Sequence, residues 1–273
     1  MSIEGRRPLT DPGDSAMLRG RALVTGGTSG LGLEFARALA ARGLALVLVA
    51  RDPQRLEKTA DQLRWRYGVE VDTLVADLAE RDGTDAVAAR LAATDSPVDV
   101  LVNNAGHGVH VPLLADDLDD IERALDVMVR AVLVLGASAG RAMSARGHGV
   151  IINVSSVASR VPMGAYSAIK SWVDTYSESL SLELAGTGVH VTSLLPGWVR
   201  TEFHERAGIR TSSIPNALWL EADRTVADAL ADVERGKVRS IPSRRFKLLA
   251  FLAAHAPRPL VRRVTALIKG GRS

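Results

Sequence analysis

The feature that most constrains this chain is the alternation of two hydrophobic patterns along most of its length. Short runs of β-branched and aliphatic residues occur at Ala22–Thr25, Ala45–Ala50, Val71–Ala76, Val98–Asn103, Val150–Val154 and Val189–Leu195. Between them lie longer Ala-, Leu-, Arg- and Glu-rich stretches with helical periodicity, among them Leu31–Arg42, Gln54–Tyr67 and Ile121–Arg146. Strands that are apolar almost throughout must be covered on both faces, which is the setting of a parallel sheet. Regular alternation with helices then predicts the doubly wound α/β class, since every parallel crossover needs a connecting element that can cover the sheet. A length of 273 residues suits one sizeable core and is short for two, so a single domain is the economical reading.

Composition narrows the chemistry. Cysteine is absent, which removes disulfides and Cys-ligated metals and fits a cytoplasmic, reducing setting. None of the six histidines has a ligand partner at a metal-binding spacing, so no metal is expected. Residues 1–18, rich in Gly, Pro and charge, read as a flexible leader without the apolar segment of a signal peptide. Residues 19–243 read as the main domain, and 244–273 as a basic, amphipathic helical extension of it. No apolar run reaches the ~18 residues of a membrane span. The net charge of +3 hides an asymmetry, because 244–273 carries eight basic residues and no acid. Such a segment can meet anionic lipid or nucleic acid. A solvated basic face is the more economical reading, and no nucleic-acid motif accompanies it. Its roles rank as closing a substrate pocket, packing on a second subunit, and peripheral contact with a membrane surface.

The first strand runs straight into Thr25-Gly26-Gly27-Thr28-Ser29-Gly30-Leu31-Gly32, followed by an Ala-rich helix. Glycines at a strand-to-helix turn let the backbone approach a pyrophosphate, whose charge then sits at the helix N-terminus. Further segments follow in order: Asn103-Asn104-Ala105-Gly106 after the fourth strand, Tyr166-Ser167-Ala168-Ile169-Lys170, and Pro196-Gly197 after the sixth strand. In this order and at these distances, the chain resembles the short-chain dehydrogenases/reductases from about Arg21 to Thr201. The resemblance implies a Rossmann-type sheet. It also implies an oxidoreductase that moves a hydride between a nicotinamide dinucleotide and a small-molecule carbonyl or alcohol, working as a homodimer or homotetramer.

On that pattern Gly26, Thr28, Ser29, Gly30, Leu31 and Gly32 hold the dinucleotide phosphates. Asp77 and Leu78 meet the adenine, and Asn104, Ala105 and Gly106 line the cofactor's path. Pro196, Gly197, Val199 and Thr201 approach the nicotinamide end. Cofactor choice is read at the end of the second strand, where an acid would bind the ribose 2′-OH and repel a 2′-phosphate. The chain has Ala50 and then Arg51. Arginine forms forked, charge-assisted hydrogen bonds to phosphate, and this favours NADP(H), with NAD(H) as the alternative. Asp52 next door argues the other way, and Arg51 as a solvated loop charge is the competing reading.

Tyr166 and Lys170 stand four apart, hence on one face of a helix. A free phenol has a pKa near ~10 and is a poor base at neutral pH. A neighbouring ammonium and an oxidised nicotinamide favour the phenolate and are expected to lower it. The resemblance makes Tyr166 the general acid/base, gives Lys170 a hold on the nicotinamide ribose, and makes Ser156 the donor to the substrate oxygen. Ser156 precedes Tyr166 by only 10 positions, shorter than the family's usual spacing, and Ser155 is the alternative. Met128 stands where the family has an asparagine that helps hold a relay water, and a thioether is only a weak acceptor. The competing function is therefore a cofactor-binding sensor or scaffold with little turnover. A mobile lid is expected at about 202–220. Met163, Trp198, Phe203 and Trp219, with His107 and His110, are candidates to line an apolar substrate pocket.

Overall fold

A computed structural model describes residues 17–201, 216–257 and 259. Its strands are β1 (Arg21–Thr25), β2 (Ala45–Ala50), β3 (Val71–Val75), β4 (Val100–Asn103), β5 (Gly149–Val154), β6 (Val189–Leu194) and the short β7 (Trp198–Val199), β8 (Trp219–Leu220) and β9 (Arg239–Ser240). The helices are α1 (Gly30–Ala40), α2 (Pro53–Tyr67), α3 (Arg81–Ala92), α4 (Asp119–Leu125), α5 (Ala131–Arg146), α6 (Ala165–Glu183), α7 (Ala222–Glu234) and α8 (Arg244–His255). Seven strands form one sheet in the order β3-β2-β1-β4-β5-β6-β9, every pair parallel. β7 and β8 make a separate two-stranded ladder. This is the Rossmann-type, doubly wound sheet that the alternating pattern predicts.

The near-continuous apolar strands divide their side chains between two cores. Ala22, Val24, Leu46, Leu48, Val100, Val102, Val150 and Ile152 face Phe35 and Leu39 of α1, Leu56 and Leu63 of α2, and Val226 and Leu230 of α7. The intervening Leu23, Val47, Val49, Leu101 and Ile151 face Val87 and Leu91 of α3, Leu135 and Met143 of α5, and Leu180 of α6. Period-two alternation thus persists inside a wholly apolar run, and both faces are buried.

Helix boundaries follow local chemistry. α2 starts where the Asp52 carboxylate accepts from the N–H groups of Gln54 and Arg55, both at 3.0 Å, with Pro53 in the first turn. It stops at Gly68, whose φ of 66° suits a residue without Cβ. α4 and α5 run together through a π turn at Asp126–Arg130, giving a helix from Asp119 to Arg146. By length and composition this 28-residue helix is apolar enough to cross a membrane, contrary to the expectation that no stretch reaches that length. Half of its most apolar stretch is buried inside the protein, as befits a core helix packed on α3 and the sheet. β9 and the β7–β8 ladder, two residues per strand, were not foreseen because so short a segment shows no period.

The strand order reverses between β1 and β4, so their connections diverge and open a crevice at the carboxyl ends, the switch point at which ligands bind in such sheets. Thr25 closes the seam beneath it. Its Oγ1 accepts from Asn104 N (2.9 Å) and Ala105 N (3.0 Å), and it donates to Val102 O (3.3 Å). The Asn104 side-chain amide donates back to Thr25 O at 2.9 Å. Thr25→Val keeps the shape but leaves two part-buried N–H groups without their acceptor, and an unsatisfied donor costs up to about 1–3 kcal/mol. Urea denaturation should show a loss of that order with an unchanged m-value.

Candidate active site

A cleft of about 2100 Å³ runs across the carboxyl ends of the strands. At one end the turn between β1 and α1 contributes Gly26, Thr28, Ser29, Gly30 and Leu31. Gly26 (φ 65°) and Gly30 (φ 53°) lie in the left-handed region that L side chains rarely adopt. Gly32 does not line the cleft. A Cβ there would collide with the Gly26 carbonyl and the Asn104 amide, so its part is to let α1 close on the turn. Ser29, at the N-cap position, gives α1 no side-chain cap, and the first turn holds no acid. The result is a glycine cradle ending in helix N–H groups, an arrangement that fits a pyrophosphate.

Arg51, Arg55, Asp77, Leu78 and Arg123 line the adjoining wall. Asp52 also lines it, but one of its oxygens caps α2. The competing signal noted in the sequence is thus partly a helix cap. Arg55 Nε donates to Thr28 O at 3.2 Å, tying α2 to the turn. Asp77 accepts from Ala79 N (3.0 Å) and Arg123 (2.6 Å) and lies 4.0 Å from Arg51. Burial pushes its carboxyl pKa up, but the Ala79 N–H and the two guanidiniums outweigh that and leave it below the usual range. Neither Arg55 nor Arg123 was singled out in the sequence. Arg55 had a signal, four positions beyond Arg51 in the first turn of α2, whereas Arg123 comes from a distant helix.

Towards the other end, Asn104, Ala105 and Gly106 follow β4, Ser155 and Ser156 follow β5, and Pro196, Gly197, Val199 and Thr201 follow β6, all lining the cleft. Tyr166 and Lys170 rise from the first turns of α6. The hydroxyls of Ser156 and Tyr166 are hydrogen-bonded. A single short 3-10 turn, Val157–Arg160, absorbs the shortened Ser–Tyr spacing. Ser155 is buried and donates to Lys170 O at 2.7 Å, which separates the two serines: one holds α6 to β5, the other reaches the phenol. Lys170 is buried, its Nζ donates to Val154 O at 2.9 Å, and it stands 5.7 Å from the centre of the Tyr166 ring.

The expected lowering of the phenol pKa is absent from the protein by itself. Burial pushes Tyr166 up to about 12, against a smaller opposing effect of the Ser156 hydrogen bond. Burial likewise pushes Lys170 down to about 8. Desolvation disfavours the charged form of each.

Met128 sits in the π turn, buried among Val109, Ala124, Ala165 and Ile169. A Cβ on Gly106 would come within 2.8 Å of its sulfur and 3.8 Å of Lys170 Nζ. Here a thioether fills the space between the Gly106 loop and the lysine. π turns recur at functional sites, and this one survives without the asparagine. α6 is fixed further along by Asp174, four residues beyond Lys170. Its buried carboxylate accepts from Ser193 Oγ (2.8 Å) and pairs with Arg160 (3.0 Å) and Arg239 (3.3 Å). The i, i+4 spacing from Lys170 was the available sequence signal for it.

Met163, Trp198, His107 and His110 line the substrate end, with Phe246, Leu249, Ala250 and Ala253 of α8 opposite. His107 Nε2 lies 3.4 Å from Asp120. Trp219 is not among the lining residues; it pairs with Trp198 in the β7–β8 ladder, and its ring lies beneath Arg200. Phe203 and residues 202–215 of the expected lid lie outside the described residues.

Residues 21–210 match the family model described as short chain dehydrogenase. The chain is 34% identical over 189 residues to a very-long-chain 3-oxoacyl-CoA reductase of Anas platyrhynchos, a match covering 66% of this chain and 60% of that protein's length. A short-chain dehydrogenase from Sphingobium yanoikuyae, solved in complex with NADPH, superposes with a TM-score of 0.79 at 35% identity, covering 84% of this chain and 92% of that one. The bulky-bulky ketone specific alcohol dehydrogenase from Comamonas testosteroni superposes with a TM-score of 0.74 at 31% identity, covering 84% and 90%.

The two shifted groups give stability a defined pH dependence. Lys170 is lowered in the fold, so between about pH 8 and its ordinary range near 10.5 the unfolded chain binds more protons, and stability rises with pH. Tyr166 is raised, so its contribution falls as pH rises from its ordinary value near 10 towards 12. Lys170→Met should remove the gain seen on going from pH 7.5 to 9.5, measured by urea midpoints at the two values.

Proposed function

Because the chain belongs to the short-chain dehydrogenase family, we propose that it is an NADPH-preferring oxidoreductase acting on ketones flanked by apolar groups and on the corresponding alcohols. The observation that carries the reading is the hydrogen-bonded Ser156–Tyr166 pair beside a buried Lys170, at the end of a cleft that begins in a glycine cradle. The dinucleotide, when bound, supplies or accepts the hydride. The Gly26–Leu31 turn holds its phosphates, and Arg51 with Arg55 meets the ribose end, where charge favours a 2′-phosphate.

The chain's own residues manage the proton. Ser156 donates to the substrate oxygen and orients it beside the Tyr166 hydroxyl. With its pKa pushed up, Tyr166 is protonated at neutral pH and passes that proton to the oxygen as the carbonyl carbon is reduced. Lys170, anchored on Val154 O, stands behind the ring and stabilises the phenolate that remains. In the oxidative direction the phenol must first lose its proton, a step that burial opposes and the Lys170 ammonium favours. The apolar lining from Val109, Val157, Met163, Trp198 and Phe246 supports a bulky, apolar substrate, as do the names of the ketone-specific and oxoacyl-CoA relatives. Leu125, Leu133 and Leu182, exposed along α4, α5 and α6, support a homodimer or homotetramer, and a cysteine-free chain suits the cytoplasm.

A screen following nicotinamide absorbance with aryl, cyclic and long-chain ketones tests the proposal. Tyr166→Phe should lower turnover by about 10²–10⁴-fold, the usual worth of a positioned acid, while NADPH binding persists; undiminished turnover would refute the assignment. Arg51→Ala should raise KM for NADPH at least tenfold and leave KM for NADH nearly unchanged. Equal effects on both cofactors would count against a 2′-phosphate contact.

A further inference from the structure

Helix α8 has two unlike apolar faces. The inner one is seated: Phe246 is buried on Gly197, edge-on to Trp198 with ring centres 6.1 Å apart, and Ala250 is buried behind it. The outer one is open. Leu248, Phe251 and Leu252, spaced three and four apart on one side of the helix, are 59%, 58% and 52% exposed. His255 extends the stripe, its ring 4.1 Å from that of Phe251. Arg244, Arg245 and Lys247, all exposed, flank the start of the stripe. From residue 244 to residue 273 the sequence adds five more Lys or Arg residues and no acid. Scattered exposed leucines need no explanation, but three large apolar side chains on one stripe form a patch that calls for a partner.

We propose that the outer face of α8 docks the protein on an anionic bilayer surface, with Leu248, Phe251 and Leu252 entering the acyl boundary and the arginines and lysine among the headgroups. An apolar stripe flanked by cations is the composition of a helix lying in a membrane interface, and clustered Lys and Arg recognise anionic lipid. Charge chooses between occupants. A second copy meeting this face about a two-fold axis would set the same cations against themselves, whereas anionic lipid neutralises them. The rim loop carrying the exposed Leu113 and Leu114 is followed by Asp116, Asp117, Asp119 and Asp120 and is poorly suited to the same surface, so the contact is assigned to α8. Ala250 and Ala253 of this helix line the cleft, as does Leu249, which is itself exposed at the edge between the two faces. Docking therefore brings the cleft to the lipid surface, and, resting on the reductase reading above, the substrate class becomes carbonyl compounds that partition into bilayers.

The test is co-sedimentation of the full chain with vesicles of phosphatidylcholine alone and of phosphatidylcholine mixed with phosphatidylserine. The protein should pellet with the mixed vesicles at least fivefold more than with the neutral ones, and high salt should release it. The triple variant L248S, F251S, L252S should lose the binding. So should R244E, K247E, which alters only exposed side chains and guards against a folding defect in the first. Absence of pelleting with phosphatidylserine, equal pelleting of wild type and both variants, or an oligomer that dissociates in the triple variant would overturn the proposal. Pelleting requires no turnover, so it stands or falls separately from the reductase assignment; turnover of a water-soluble ketone by the charge variant is the control for the latter.

Discussion

Much of the site depends on one awkward placement: an ammonium buried at the foot of the cleft with no carboxylate paired to it among the described residues. Lys170 is held by the Val154 carbonyl, and the backbone around it is held in turn by the Ser155 hydroxyl on Lys170 O. These two hydrogen bonds cross in opposite directions between the end of β5 and the first turns of α6. They fix the helix rotation that sets Tyr166 against Ser156. Burying a charge with so little compensation is expensive, and the lowered lysine pKa is the sign of that cost. A counter-ion placed beside the ammonium would ease the burial and would also quench the field that the phenolate needs.

The rest of α6 exists to hold that placement. Asn103 donates to Asn153, and Asn153 donates to Ser177, so a buried amide chain runs from β4 through β5 into the helix. One helical turn past the lysine, Asp174 gathers Ser193, Arg160 and Arg239 from three other segments. Charge is tolerated here because it is paired and hydrogen-bonded on several sides. The helix is anchored by polar contacts at its catalytic end and by Leu180 and Val173 in the cores elsewhere.

Much of this was legible in the sequence because strand and helix periods report burial directly. Six apolar runs marked six strands of the main sheet to within a residue or two. The run starting at Val98 was the least accurate, since Asp99 breaks it and the strand begins at Val100. Residues whose role is set by backbone geometry, such as Gly26 and Gly30, were legible from their place after β1. Residues whose role depends on a distant partner were not. Thr25 reads as an ordinary strand end, Arg123 as a helix-surface charge, and Asp174 as one acid among many; each gains its meaning from a neighbour 46 to 80 positions away or from several neighbours together. Asp52 shows the converse, where a neighbour in sequence suggested ribose chemistry and local geometry turned an oxygen to capping. The upward push of burial on the Tyr166 phenol was not legible, because a pattern of letters carries no measure of desolvation.

The order of the strands has a bearing on how such a molecule comes into being. The walls of the cleft leave β1, β2, β3, β4, β5 and β6, and the pairs that frame the crevice, β1 with β4 and β5 with β6, are closed by long crossovers. Loop-closure entropy for these parallel pairings must be met before native contacts reward it. A chain truncated before β4 therefore lacks the wall that completes the crevice. A ligand that prefers the completed crevice stabilises the fold that holds it, so its supply acts by mass action on how much of the protein survives as well as on how fast it works.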